Sequence, residues 1–128
     1  MTPLIVVDSS VLIGIIRRER GHEKLAEVVR GGTISAVNYS DVITHMTDLD
    51  IDPTDWRAGL ESFQMIVAPF DLEQCEAAGI LRRETRHIGL SLGDRACLAL
   101  ARTLGTAVLT ADRDWAKLDI GIDIRLVR

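Results

Sequence analysis

A chain of 128 residues that is 47% apolar is long enough to bury one core and too hydrophobic to stay disordered. With aromatic residues at 4%, the core has to be aliphatic, and few flat rings remain on which an RNA-reading module would stack bases. The net charge of −4 argues against a nucleic-acid partner, yet it is local in origin: without Asp8, Asp41, Asp94 and Asp112 the 19 acids fall to the 15 of the Lys and Arg residues.

In chain order, Leu4 to Val7 is a continuous apolar run, the signature of a strand buried on both faces. Asp8-Ser9-Ser10 offers cap residues for a helix whose stripe is Val11, Leu12, Ile15 and Ile16. After Gly21 a second helix is expected from His22 to Arg30, with Leu25, Val28 and Val29 inward. Gly31-Gly32 precedes a short strand from Thr33 to Val37. Val42, Ile43, Met46 and Leu49 then keep helical spacing, and Asp52-Pro53-Thr54 stops that helix and starts another, which runs to about Gln64. A strand from Met65 to Phe70 follows, and Asp71 caps a long helix ending near Arg86. A loop around Gly89 leads to a helix opening at Asp94 and ended by Gly105. Ala107 to Thr110 is a strand, Asp112 to Leu118 a short helix, and Ile122 to Val127 a last strand. Such alternation implies a single α/β domain over residues 1–128, with a central, mostly parallel sheet between helical layers.

The apolar stretch from Pro3 to Ile16 has no basic start and is interrupted by Asp8, so neither a signal peptide nor a membrane span is expected. A cytoplasmic protein is, with Cys75 and Cys97 as two buried free thiols on separate helices.

The chemistry is concentrated in the four aspartates. Asp8, Asp94 and Asp112 follow short apolar runs, and in a parallel sheet the residues just past the strand ends converge on one edge. Each is also a common helix cap. Asp94, however, shares a helix face with Cys97, Leu98 and Ala101, so its carboxylate is expected to face the protein, whereas Arg95 and Arg102 mark the solvent side. Asn38, Asp41 and His45 lie along one stripe of their helix, at the margin of the core. Carboxylates gathered in one place repel one another unless a cation joins them, and Mg²⁺ or Mn²⁺ takes hard oxygen ligands of this kind.

The segments Ile5-Val6-Val7-Asp8-Ser9-Ser10, Ser35-Ala36-Val37-Asn38-Tyr39-Ser40-Asp41-Val42, Leu90-Ser91-Leu92-Gly93-Asp94-Arg95-Ala96-Cys97-Leu98-Ala99-Leu100-Ala101 and Val108-Leu109-Thr110-Ala111-Asp112-Arg113 resemble the PIN-domain family. More closely, the chain resembles the VapC-type toxin ribonucleases of bacterial toxin–antitoxin pairs. The resemblance spans nearly the whole length. It implies a three-layer α/β/α fold, an RNA substrate hydrolysed by metal-activated water, and Mg²⁺ or Mn²⁺ held by Asp8, Asp94 and Asp112. It also implies a small antitoxin partner and a homodimer. The family usually has glutamate where Asp41 stands, so Asp41, one methylene shorter, is expected to reach the metal directly or through water. Under the same resemblance Ser10, Thr110 and Asn38 support the ligands from behind. Asp114 is either an auxiliary ligand or a first-turn acid favoured by the helix dipole.

Arg17-Arg18-Glu19-Arg20 and Arg82-Arg83-Glu84-Thr85-Arg86-His87 are solvated helix ends or phosphate contacts. Trp56 and Phe63, seven residues apart, share one helix face as core residues or as an anchor for the antitoxin. Two rival readings remain. A phospho-accepting receiver domain also gathers acids at strand ends, but it needs an acidic pair after the first strand and a late lysine. Asp8 is followed by serines, and Lys24 and Lys117 are the only lysines. A catalytically weak or inactive PIN-fold module that binds RNA or protein is the other, and Asp41 is the feature that favours it.

Overall fold

The computed structural model describes residues 5–127. Five strands, β1 (Ile5–Val7), β2 (Thr33–Ser35), β3 (Ile66–Ala68), β4 (Ala107–Thr110) and β5 (Ile124–Leu126), form one sheet in the order β3-β2-β1-β4-β5. Every pairing is parallel. Leu4, expected to open β1, lies outside the described residues.

Successive side chains of a strand point to opposite faces, and the two inner strands use both. Val6 and Val108 enter one core together with α5 (Leu72–Ile80), α7 (Leu92–Leu104) and the fully buried Trp115. Val7 and Leu109 enter the other, with α1 (Ser9–Ile16), α2 (His22–Val29), α3 (Ala36–Asp48) and α4 (Pro53–Glu61). These are the two helical layers of an α/β/α sandwich, as the alternating elements imply. Among the described residues no helix is long and apolar enough to cross a membrane.

Several details differ from the sequence expectations. First, β2 stops at Ser35, whose hydroxyl accepts the Val37 N–H at 3.2 Å, so α3 begins at Ala36 and Val37 is helical. Second, the long helix after Asp71 is broken at Leu81 into α5 and the single turn α6 (Arg82–Thr85). Arg95, expected toward solvent, reaches back across the layer and donates from Nη1 to the Ala78 carbonyl at 2.9 Å, close to the break. Third, Val28 is exposed, with only Val29 of α2 fully buried. Fourth, Cys97 is buried but Cys75 is exposed.

The chain leaves β1 to one side through β2 and β3 and returns on the other through β4. The strand order therefore reverses between β1 and β4, and the crevice beyond their carboxyl ends is where parallel sheets of this kind place ligands. Asp8 follows β1 there, and Thr110 ends β4.

Candidate active site

Asp8 occupies the N-cap position of α1 in an extended conformation, but its side chain makes no capping bond. Its Oδ2 instead accepts the Ser10 hydroxyl at 2.6 Å and the Thr110 hydroxyl at 2.9 Å. Each hydroxyl also serves the far strand: Ser10 Oγ accepts the Ala111 N–H at 3.0 Å, and Thr110 Oγ1 accepts the Asp112 N–H at 3.1 Å. The ends of β1 and β4 are thereby stitched together around a carboxylate that is 3% exposed. Burial raises its pKa above the ordinary aspartate value, and the nearby Asp94 charge adds to this. The two hydroxyls and the Ser9 N–H oppose the rise without cancelling it.

Asp94 comes from the first turn of α7. Ser91, not Asp94, is the N-cap, and Leu92 and Gly93 are helical. Asp94 and Ser91 form a capping box: the Ser91 N–H donates to Asp94 Oδ2 at 3.0 Å, and the Asp94 N–H donates to Ser91 Oγ at 3.2 Å. Cys97, Leu98 and Ala101 are buried along this face as expected. Asp94 itself is half-buried, with its carboxylate turned back over the helix start. Its charge is nonetheless felt at Asp8, at Asp41 and at Cys97.

Asp41 reaches this edge from α3. It is exposed, yet partial burial against its neighbours raises its pKa, and Asp94 raises it further. Asn38, one turn earlier and fully buried, donates from Nδ2 to the Gly93 carbonyl at 3.0 Å and so ties α3 to the start of α7. Its Oδ1 is buried without a partner, as is Nε2 of the half-buried His45 further along the stripe. Gly93, against which Asp41 packs, escapes sequence reasoning. Its signal is a glycine inside a helical turn with no positive φ to require it.

Asp112 is held differently. It is the N-cap of a 3-10 turn (Arg113–Lys117), where its Oδ1 accepts the Asp114 N–H at 3.0 Å. Its link to Asp8 is the shared Thr110 hydroxyl. Asp114 is exposed and pairs with Lys117 at 3.1 Å, the arrangement of a first-turn surface acid.

Asp8, Asp94 and Asp41 thus share one electrostatic field, and among the described residues no ion pair is seen at any of them. The donors are all hard oxygens, and two of the carboxylates have raised pKa values, so the set suits Mg²⁺ or Mn²⁺ in chemistry and in charge. As the side chains stand, no three His, Cys, Asp or Glu residues among those described are grouped to hold an ion.

A family profile described as PIN domain matches residues 5–121. The chain belongs to the PIN domain family. Among solved structures, this PIN domain superposes on a chain of the DNA-bound VapBC from Salmonella typhimurium with a TM-score of 0.74 at 18% identity, covering 97% of this chain and 98% of that one. VapBC2 from Rickettsia felis, bound to a DNA fragment from its promoter, gives 0.73 at 11% identity, covering 98% and 99%. A toxin–antitoxin complex from Klebsiella pneumoniae gives 0.71 at 18%, covering 94% and 99%. At these identities the likeness is one of fold. No curated protein sequence matches the chain.

Proposed function

We propose that this PIN domain is a metal-dependent endoribonuclease, the toxin of a type II toxin–antitoxin pair, with Asp8, Asp94, Asp112 and Asp41 as its working acids. The observation that carries this reading is Asp8: a buried carboxylate at the switch point of the sheet, held by two hydroxyls and crowded by Asp94. A fold does not keep a carboxyl group there for stability, since burying its charge is costly.

In this reading Asp8 is the fixed ligand, since Ser10 and Thr110 leave its Oδ2 one orientation. Asp94 and Asp41 complete the oxygen set from α7 and α3, and Asp112 stands beside them through Thr110. Asp114 is the ligand we set aside in favour of its pair with Lys117. Mg²⁺ or Mn²⁺ bound here would supply charge relief at the scissile phosphate and a water acidic enough to attack it. The chain's own part is to hold that charge at the mouth of the crevice.

An antitoxin enters this proposal through the toxin–antitoxin complex that shares the fold, and a homodimer enters it through the family resemblance alone. Trp56 and Phe63 of the α4 region are half-buried, which leaves part of each ring as an anchor for such a partner. The second reading, a PIN-fold module without strong catalysis, is favoured by the lack of three pre-grouped ligands among the described residues.

One experiment separates them. Purified chain, free of any antitoxin, is incubated with total RNA and Mg²⁺ or Mn²⁺, and new 5′ ends are mapped. Cleavage that needs the metal supports the nuclease, and intact RNA that still binds supports the module. Co-expression with the small protein encoded beside it tests the toxin assignment, which fails if that protein neither co-purifies nor suppresses cleavage.

A further inference from the structure

Gly93 is the second residue of α7, a place where alanine would favour the helix. Its φ is not positive, so backbone freedom is not the reason for glycine here. Room is. A Cβ at this position would lie 2.7 Å from Asp41 Oδ2 and 3.7 Å from Asn38 Nδ2. The first distance is well inside van der Waals contact, and the atom it meets is the end of a short, exposed side chain that can rotate away. Asn38 meanwhile anchors α3 to the Gly93 carbonyl, so the two helices cannot easily part to relieve the overlap.

We propose that Gly93 is a positioning residue for Asp41: its missing side chain is the space in which the Asp41 carboxylate stands over the start of α7, beside Asp94. The inference rests on the nuclease reading for its consequence, metal binding, but not for its geometry. Glutamate can reach past a Cβ, whereas aspartate arrives beside Asp94 only if residue 93 has none.

The test is Gly93→Ala, alone and with Asp41→Glu or Asp41→Ala. In the metal-free protein, side-chain couplings measured by NMR should show the Asp41 carboxylate swung away from α7 in Gly93→Ala, with the Asp8 environment unchanged. An unmoved Asp41 overturns the proposal. Mn²⁺ affinity, followed by titration calorimetry, should fall about tenfold or more in Gly93→Ala, in the range of outer-residue effects on metal sites. Most of that loss should return with Asp41→Glu, and Gly93→Ala should cost nothing further in the Asp41→Ala background. The same loss in the Asp41→Ala background overturns the proposal, because Gly93 would then act through something else. Should Gly93→Ala not fold, recovery of folding by Asp41→Ala places the conflict at Asp41, and continued failure refutes it. If the wild-type chain binds no Mn²⁺, the nuclease reading falls, and the position of Asp41 in Gly93→Ala still decides the geometric claim.

Discussion

The two ends of α7 treat charge in opposite ways. At its last turn Arg102 forks onto Glu84 at 3.2 and 3.3 Å and reaches the Ile120 carbonyl at 2.6 Å, fastening α6 and the chain before β5 to one guanidinium. At its first turn Asp94 stands in the field of Asp8 and Asp41, with hydroxyls, amides and one another for company. The helix dipole favours an acid at the start and a base at the end, so it accounts for Asp94 and Arg102 alike. It does not account for Asp8 and Asp41, whose raised pKa values show charge held at a cost. One end of the helix is neutralised for structure. The other carries a deficit that a cation would balance.

Asp8→Asn should separate the two ends most sharply. RNA cleavage, measured on a labelled substrate, should drop by more than about a hundredfold, beyond the usual effect of a residue behind the ligands. Stability should move the other way. Because the folded-state pKa of Asp8 lies above its unfolded value, the folded chain holds this proton more tightly, and the penalty of ionisation grows as pH rises above the unfolded value. Urea melts at pH 7 should find Asp8→Asn more stable than the wild-type chain. The gap should close as pH falls through the folded pKa toward the unfolded one. A wild-type chain more stable than Asp8→Asn at pH 7 would break the contrast.

Thr110→Val removes the hydroxyl that Asp8 and Asp112 share, and cleavage should fall by roughly ten- to a hundredfold with the fold retained by circular dichroism. Asp41→Asn should lower cleavage by about tenfold, while Asp41→Glu keeps or raises it. Equal rates in all three forms would remove Asp41 from the site. Arg102→Ala should leave cleavage unchanged and cost about 0.5–1 kcal/mol in denaturant melts, since its ion pair is largely exposed. A nuclease defect in this variant would mean that the two ends of α7 are not independent.

The succession of strands and helices along the chain, the caps at Asp52 and Asp71 and the strand ends bearing Asp8 and Thr110 are readable from local signals, because apolar runs and cap chemistry act within a few residues. The features that escape depend on distant partners. The break at Leu81 lies beside a carbonyl taken by Arg95, seventeen residues on, and the same bond turns Arg95 inward. Val28 keeps helical spacing yet has no layer above it. At the site, the residue types are legible but their placement is not. Asp94 is recognisable as an acid at a helix start, whereas its capping-box role and its proximity to Asp41 depend on how α3 meets α7.

The two cysteines offer a clock for this chain. Cys97 lies fully buried in the layer beneath the acids, its thiol pushed well up in pKa by burial and then by Asp8 and Asp94. Cys75 is exposed on α5, the neighbouring helix of the same layer. A thiol-labelling reagent therefore finds Cys75 at once and Cys97 only when the α7 layer breathes open. The lag between the two labels times that opening in the native chain. A divalent ion seated among the carboxylates would lengthen it, reporting occupancy of the acid edge without any RNA being cut.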